Sequence, residues 1–228
     1  MAAARMFETE AARLREILLE RRAVSPLLNL GSSTRDFRER EKPHIQRELF
    51  GPLEAAGVAM VHSDLKAADG VDVVGDVLDP AVQRDLKGRG FKCVLLANVL
   101  EHVRDPAAVA AACEEIVGPG GLVLATVPAS FPYHADPIDT GLRPSPPEVA
   151  ALFTRSRPLL LEEVTGRTYA EDLKARGSTV AKALTQTLLF GLIAWARPRS
   201  FAACADRWRW FRRPYRVSVA LLEVSSGG

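Results

Sequence analysis

The chain has 228 residues, of which 47% are hydrophobic and 25% are charged, and its formal net charge at pH 7 is +2. This composition is typical of a globular protein and excludes a disordered, collagen-like or coiled-coil chain. A chain of this length is expected to form one domain, so we predict a single domain over residues 1–228.

The cysteines and the apolar runs indicate a protein of a reducing compartment. Cys93, Cys113 and Cys204 are odd in number and far apart. The amino-terminal segment alternates charged with apolar residues, whereas a secretory signal needs an unbroken apolar stretch. The longest uncharged run that is compatible with a helix, Ala183–Ala196, has 14 residues, fewer than the roughly 20 that cross a bilayer. We therefore expect a cytoplasmic protein.

The first half of the chain predicts strands that alternate with helices. Helical spacing of apolar residues predicts a first helix over Ala4–Arg21, which we expect to cover one edge of the sheet. Short apolar runs that are bounded by Gly, Asp or Pro predict buried strands at Pro26–Leu30, Val58–His62, Val71–Val74, Phe91–Ala97 and Leu122–Val127. The helices predicted between them are His44–Phe50, Ala81–Lys87 and Pro106–Val117. This alternation is typical of a parallel α/β sheet with helices on both faces.

The second half predicts a loop and an insertion. A Pro-rich loop, Pro128–Pro147, precedes a helix at Glu148–Phe153. The next strands are predicted at Leu159–Val164 and Tyr215–Val224. If these two strands are neighbours, residues 166–213 form a helical insertion between them, and a long excursion of this kind usually serves a site as a lid or an interface.

Polar residues at the strand ends predict a nucleoside pocket, because ligands of open parallel sheets bind beyond the carboxyl ends of the strands. Gly31 permits a tight turn, Asp64 suits two ribose hydroxyls, and Asp76 suits an exocyclic amine. Leu65 and Val77 are placed to enclose an adenine ring. The two aspartates equally suit ordinary turns. The predicted cofactor-binding residues are Asn29, Gly31, Ser32, Ser33, Asp64, Leu65, Asp76, Val77 and Asn98.

Three segments resemble the class I S-adenosylmethionine-dependent methyltransferases, in particular the type 11 group. They are the Leu-Glu-His segment within Phe91–Pro106, the Pro-Gly-Gly turn within Ile116–Leu124, and Val71–Asp76. The resemblance runs from about Leu27 to Phe153. It implies a Rossmann-like seven-stranded sheet whose last strand, Tyr215–Val224, is antiparallel, and S-adenosylmethionine as cofactor. A nicotinamide-dependent oxidoreductase stays a weaker alternative, because a dehydrogenase is not expected to combine these motifs.

The first loop departs from the family pattern. The family usually has an acid two places before the first glycine of a Gly-x-Gly-x-Gly run, and here those places are Asn29, Gly31, Ser33 and Arg35. We expect the Ser33 amide and the Arg35 guanidinium to contact the methionine carboxylate. Asn29 brings no negative charge to the ammonium group. The departure leaves open an alternative function, a catalytically degenerate partner or scaffold at a membrane surface.

Two histidines are candidate general bases for taking a proton from a hydroxyl or amine acceptor. His102 follows the fourth strand, with Glu101 beside it to orient it, and His134 lies in the Pro-rich loop. Alternatively, Glu101 and His102 stabilise the start of a helix. The same loop offers candidate substrate contacts that equally suit turn formation, namely Tyr133, Asp136, Asp139 and Arg143.

A divalent metal is a possibility that we do not favour. Glu101, His102 and His134, together with Asn98, resemble the Glu-x-x-Glu-His arrangement with which some methyltransferases hold a divalent cation. Asn98 stands in place of the first glutamate, and hard cations prefer charged oxygen ligands. We therefore assign no residue as a metal ligand.

The insertion contains a concentrated cationic segment. Arg197–Arg216 has seven arginines and one aspartate, and three tryptophans lie in it or beside it. A preceding apolar helix carries Leu184, Leu188 and Leu192. We expect peripheral membrane contact through residues 184–213, or else packing of these rings onto the sheet. Nucleic acid is not expected, because its footprint would be broader. The sequence thus predicts a methyltransferase that acts on a hydroxyl or amine of a small metabolite or modified sugar, with its oligomeric state undetermined.

Overall fold

The fold is a seven-stranded mixed sheet. The computed structural model describes residues 6–21, 23–133, 138–175, 177–192, 195–196 and 198–226. The strands are β1 (Leu27–Leu30), β2 (Met60–Asp64), β3 (Val73–Val74), β4 (Cys93–Ala97), β5 (Leu122–Ser130), β6 (Ser156–Thr165) and β7 (Arg216–Val224). Their order is β3-β2-β1-β4-β5-β7-β6. Strands β1 to β5 pair in parallel, and β7 is antiparallel to both β5 and β6. The predicted fold class and the antiparallel last strand are confirmed.

Helices connect the strands at the predicted places. They are α1 (Glu8–Leu19), α2 (Pro43–Ile45), α3 (Gly51–Ala55), α4 (Pro80–Gly88), α5 (Pro106–Val117), α6 (Pro146–Ala151), α7 (Tyr169–Ala175), α8 (Val180–Leu192) and α9 (Pro198–Asp206). Two π-helical turns, Phe37–Glu41 and Gln46–Phe50, flank α2. Helix α5 begins where Asp105 accepts a hydrogen bond from the Ala108 amide and Pro106 occupies the first turn.

Each face of the sheet carries its own apolar cluster. On one face, Leu86 of α4, Ile116 of α5 and Val149 of α6 pack against residues such as Leu96 and Val123. On the other face, α1 and the α2–α3 segment pack against Leu95, Leu124 and Val219. Strand side chains alternate between the faces, so neighbouring strand residues are buried in different clusters and the strands are buried on both sides.

Helix α1 packs on one face of the sheet and reaches the edge strand β6, where Arg13 pairs with Glu162 at 2.7 Å. Its buried residues Ala11, Leu14 and Leu18 belong to the same cluster as residues of the central strands β4 and β5. The apolar stripe of the helix is thus buried against the surface of several strands. Its amino-terminal end thereby reaches the carboxyl ends of β4 and β5.

The described residues between β6 and β7 are mostly helical. Helices α7, α8 and α9 lie in this insertion, and Trp208 packs edge-on against Tyr169 of α7. The Trp208 indole donates a hydrogen bond to Thr187 Oγ1 of α8 at 3.0 Å, and the Arg213 guanidinium lies 4.8 Å from the centre of the Trp210 ring. Trp208 and Trp210 are therefore partly buried packing residues. Within the described part of the chain, no helix has both the length and the apolarity to cross a membrane.

Candidate functional site

Gly31 begins the first loop of the site, immediately after β1. Its φ is +74°, and a Cβ at this position would lie 2.4 Å from Cγ2 of Val99, which follows β4. Such a distance is far inside van der Waals contact, so the loop after β1 closes against the loop after β4 only without a side chain. The amides of Gly31 and Ser32 both donate to the Ser63 carbonyl of β2, at 2.9 and 3.0 Å. The loops after β1, β2 and β4 thus meet at one place.

Asp64 links the first and second loops. Its Oδ2 accepts the Ser33 amide at 2.7 Å, and its Oδ1 accepts the Lys66 amide at 3.0 Å. The expectation that the Ser33 amide faces a methionine carboxylate is therefore wrong, because Asp64 already takes that donor. Each carboxylate oxygen has a second lone pair, which leaves Asp64 able to accept further hydrogen bonds from a ligand.

Arg38 stabilises the first loop through hydrogen bonds to its backbone carbonyls. It is buried, its Nη1 donates to the carbonyls of Ser32 and Ser33 at 3.0 and 2.9 Å, and its Nη2 donates to the Gly70 carbonyl at 2.9 Å. Burial lowers the pKa of Arg38, but a guanidinium stays protonated in proteins. Sequence reasoning missed this residue, because it lies in a charged run whose other members are mostly exposed. The expected contact of Arg35 is also different, since Arg35 pairs with Asp69 at 3.4 Å.

The Asn29 side chain points into the buried face under the first loop. It is 5% exposed, and its Nδ2 lies 3.0 Å from Nδ1 of His62 on the neighbouring strand. Burial lowers the pKa of His62 to about 4, so the imidazole is neutral at pH 7 and its Nδ1 accepts from the Asn29 amide. The Phe50 ring packs edge-on against the His62 ring. As a predicted cofactor contact, Asn29 reaches the site only through its backbone.

The predicted adenine end lies beyond β2 and β3. Leu65 is 70% exposed, whereas Val77 is 8% exposed and belongs to the core. Asp76 is exposed, and its Oδ1 accepts the Leu78 amide at 2.9 Å. Of the two apolar residues expected to enclose the ring, only Leu65 is open to a ligand, and the exposed Leu78 is the apolar neighbour on the β3 side.

A buried carboxyl group lies beside Asn98, at the carboxyl end of β4. Glu10 of α1 has no exposed surface, and its Oε1 accepts both the Asn98 amide at 2.9 Å and the Thr126 hydroxyl at 2.8 Å. Burial raises the pKa of Glu10 to about 7. Asn98 adopts a positive φ of 53°, a conformation that asparagine tolerates better than most residues. Sequence reasoning missed Glu10, although an acid in line with Leu14 and Ile17 on an apolar helix stripe is a readable signal.

His102 and Glu101 form the next part of the site, in a 3₁₀ turn after β4. His102 Nδ1 is hydrogen-bonded to the Ile138 carbonyl, an arrangement in which a neutral imidazole carries its lone pair on Nε2. That Nε2 lies 3.7 Å from Oε1 of Glu101. Neither carboxyl oxygen of Glu101 has a hydrogen-bond partner among the described residues, and burial raises the pKa of this group to about 8. Burial therefore favours the protonated form of Glu101 near neutral pH.

The loop after β5 folds over this turn. Thr140 donates from both its amide and its hydroxyl to the Glu101 carbonyl. Asp139 and Arg143 form a bidentate ion pair at 2.6 and 3.0 Å, so these two predicted substrate contacts are engaged with each other and shape the loop. Tyr133 is exposed at its start. His134 and Asp136 lie outside the described residues.

Metal-ligand geometry is not seen in the described part of the chain, where no group of three or more His, Cys, Asp or Glu side chains is placed to hold an ion. The side chains of the candidate ligands Glu101, His102 and Asn98 do not converge on one point. The Asn98 amide donates to Glu10, whereas His102 Nδ1 is hydrogen-bonded to the Ile138 carbonyl. The fourth candidate, His134, is not described.

Comparison with known proteins agrees with this architecture. The methyltransferase domain family matches residues 3–182, which is most of the chain. No curated protein matches the sequence. Among solved structures, a putative methyltransferase from Bacillus halodurans is 10% identical, with a TM-score of 0.57 over 95% of this chain and 99% of that one. A S-adenosylmethionine-dependent methyltransferase from Archaeoglobus fulgidus is 12% identical, with a TM-score of 0.52 over 93% and 92%.

A third similar structure, the [4+2]-cyclase SpnF, is 16% identical, with a TM-score of 0.55 over 95% of this chain and 82% of that one. At these identities a shared fold does not carry the reaction with it. The family match, in contrast, covers the strand ends and loops described above. The chain therefore belongs to the methyltransferase domain family and is a class I S-adenosylmethionine-dependent methyltransferase.

Proposed function

We propose that this enzyme transfers the methyl group of S-adenosylmethionine to a hydroxyl or amine of a small-molecule acceptor. The observation that carries the proposal is the position of Gly31, Asp64 and Asn98 at the carboxyl edge of the sheet. Gly31, which has no side chain, lies between the oxygen-bearing side chains of Asp64 and Asn98. A nucleoside with an attached amino acid needs this combination of close backbone approach and hydrogen-bond acceptors.

The strand order supports one orientation of the cofactor. Asp76 follows β3, Asp64 ends β2, Gly31 follows β1 and Asn98 follows β4, and these strands are consecutive in the sheet. In this arrangement the adenine lies beside Asp76 and Leu65, the ribose hydroxyls donate to Asp64, and the methionine part lies between Gly31 and Asn98. The exposed side chain of Leu65 provides an apolar surface for the ring.

The acceptor would bind beyond β4 and β5, where His102 and the loop after β5 lie. S-adenosylmethionine supplies the activated methyl group, and its carbon–sulfur bond breaks as the new carbon–oxygen or carbon–nitrogen bond forms. Aligning the two reactants accounts for about 7–11 kcal/mol of barrier lowering in favourable cases. His102 Nε2 takes the proton that the acceptor loses, while the Ile138 carbonyl holds the ring through Nδ1.

A direct test incubates the protein with labelled S-adenosylmethionine and a metabolite extract. Label should appear in a small molecule, and His102→Ala should reduce the rate about a hundredfold or more without changing S-adenosylhomocysteine affinity. The control variant is His44→Ala. His44 lies away from the strand ends, and its Nε2 is hydrogen-bonded to the Met6 carbonyl at 2.8 Å. Absence of any methylated product, with a folded and cofactor-binding protein, would contradict the proposal.

The insertion carries an exposed apolar surface. Helix α8 has an exposed apolar face that includes Leu188 and Leu192, which are 70% and 76% exposed, followed by Trp195 at 87%. Patches of this kind on a globular protein usually mark an interaction surface. We propose that this α8 face contacts an anionic membrane surface.

Charge favours a membrane over a second copy of the chain. The sequence from Lys174 to Ala205 has five lysines and arginines and no acid. Two copies that met across this face would bring like charges together, whereas anionic headgroups attract each basic residue by about 1 kcal/mol. Arg209, Arg212 and Arg213 add exposed cations on the following segment.

Sedimentation with vesicles tests this contact. The protein should pellet with phosphatidylcholine vesicles that contain phosphatidylglycerol, and less so in high salt or without the anionic lipid. Leu188→Ser with Leu192→Ser should abolish pelleting, whereas Leu19→Ser, at an exposed leucine of α1, should not. Equal behaviour of the two variants, or a dimer that only the α8 variant dissociates, would overturn the membrane proposal.

A further inference from the structure

Glu10 occupies an unusual position for a helix-capping acid. Its Oε2 accepts the Phe7 amide at 3.2 Å, which alone would be a capping interaction within α1. Its Oε1, however, reaches across to Asn98 and Thr126, which are 88 and 116 residues away in the sequence. The carboxyl group therefore joins α1 to the ends of the two strands that flank the methyl-transfer region.

This contact fixes the orientation of the Asn98 amide. Because Nδ2 donates to Glu10, the Oδ1 of Asn98 points away from α1, and no described residue donates a hydrogen bond to it. The backbone amide of Asn98 is also held, by the Thr126 carbonyl at 3.0 Å. A carbonyl-type acceptor is thus held in place at the end of β4, next to Val99 and the Gly31 loop.

The donor that suits this acceptor is an ammonium group. If the proposed cofactor orientation holds, with ribose at β2 and adenine at β3, the only part of the cofactor with donors near β4 is the α-amino group of the methionine moiety. Asn29, which replaces the usual acid of the first loop, has turned its amide to His62 and carries no charge. The site therefore lacks a carboxylate on β1 to balance this cation.

We propose that Glu10 is a positioning residue that replaces the missing acid of β1: it orients Asn98 toward the cofactor's ammonium group and supplies the negative charge behind it. An ammonium group nearby favours the ionised form of Glu10. A carboxylate behind an amide also polarises the amide and strengthens the hydrogen bond that its oxygen accepts. This inference rests on the proposed cofactor site, and it adds α1 to that site.

Two ligands separate this role from a merely structural one. S-adenosylhomocysteine has the amino acid part, whereas 5′-methylthioadenosine keeps the adenosine and the thioether but lacks the amino and carboxyl groups. Calorimetric titration of wild type and Glu10→Gln with both ligands is the experiment. The glutamine keeps the size of the side chain and removes its charge.

Glu10→Gln should weaken S-adenosylhomocysteine binding about tenfold or more, a change of about 1.4 kcal/mol, and leave 5′-methylthioadenosine binding within about twofold. Asn98→Gly, which tolerates the positive φ, should give the same selective loss. The double variant should lose little more than Asn98→Gly alone, because Glu10 acts through Asn98.

Equal losses for both ligands, or no loss for either, would overturn the inference while wild-type binding still supports the cofactor site. Additive losses in the double variant would also overturn it, because they would mean that the two residues act independently. Failure of wild type to bind either ligand would instead contradict the proposed function. If Glu10→Gln does not fold, equal losses of the two ligands in Asn98→Gly would still overturn the inference, because Glu10 is proposed to act through Asn98.

Discussion

At the scale of single residues, packing and hydrogen bonds fix the backbone conformation of Gly31 and Ser33 at the carboxyl edge. Gly31 is required by a neighbour, since Val99 occupies the space of its missing side chain. Ser33 stands where the family usually has glycine and still adopts a positive φ of 54°. Its amide bond to Asp64 and the Arg38 bond to its carbonyl offset that backbone strain.

Gly31→Ala should therefore destabilise the protein more than alanine at another glycine of similar backbone. Ala at positive φ costs about 1–2 kcal/mol, and the overlap with Val99 should bring the loss to about 2–4 kcal/mol. Gly57 is the matched control, because its φ is +79° and an added Cβ would meet nothing within 4 Å. Urea unfolding of both variants measures the difference, and equal losses would show that Val99 has room to move.

The buried acid Glu101 predicts a pH dependence of stability. Its pKa is about 8 in the folded protein against an ordinary 4.5, so the folded state binds the proton more tightly. The stability that this group contributes is full below about pH 4.5 and is lost as the pH rises to about 8. Removing the titration by Glu101→Gln should remove that loss.

The free energy of unfolding of Glu101→Gln, relative to wild type, should thus rise between about pH 5 and about pH 8, with a limiting slope of about 1.4 kcal/mol per pH unit. Glu115→Gln is the control, because hydrogen bonds from Lys87 and Arg155 lower the pKa of Glu115 and keep it ionised throughout this range. A flat difference for Glu101→Gln would mean that Glu101 is hydrated or paired in solution.

At the scale of elements, the first loop keeps its shape through residues of its neighbours. It has one glycine of the usual three. Asp64 of β2 and Arg38 of the following helical segment hold it by three hydrogen bonds, and a fourth bond anchors Arg38 to the Gly70 carbonyl. The strand that precedes the loop is short, with four residues, so most of the loop's stability must come from these contacts.

Arg38→Ala should accordingly destabilise the protein by about 3 kcal/mol or more, because it leaves the carbonyls of Ser32, Ser33 and Gly70 without their donor. It should also weaken S-adenosylhomocysteine binding. Arg40→Ala, at an exposed arginine that pairs with Asp36, should cost less than about 0.5 kcal/mol. Thermal unfolding of both variants checks the contrast, and an Arg38→Ala protein as stable as Arg40→Ala would contradict it.

Most strands were predictable from sequence because they are short apolar runs next to a turn-forming residue, as at Leu30–Gly31 and Val74–Gly75. Contacts between elements were not. The pairing of Asn29 with His62 depends on which residue of β2 lies opposite it, and the bond of Glu10 to Asn98 depends on which face α1 covers. Pattern alone fixes neither register nor docking, so the site's acid could not be assigned to α1.

At the scale of the whole molecule, three parts of the sheet have three different proposed roles along its carboxyl edge. The β3-β2-β1-β4 half carries the proposed cofactor residues, the end of β4 and the loop after β5 carry His102 and the proposed acceptor side, and the β7-β6 half carries the insertion. Phe7 of the α1 start stacks on Tyr215 at the base of the insertion. Helix α1 thereby touches both the proposed cofactor side and the insertion.

Calorimetric titration with S-adenosylhomocysteine tests the cofactor site most directly. Wild type should bind with micromolar affinity, Asp64→Ala should bind at least about tenfold more weakly, and Asp85→Ala, at an exposed aspartate of α4 that pairs with Arg89, should bind like wild type. A folded wild type that binds no S-adenosylhomocysteine, or an Asp64→Ala variant that binds as tightly as wild type, would contradict the account.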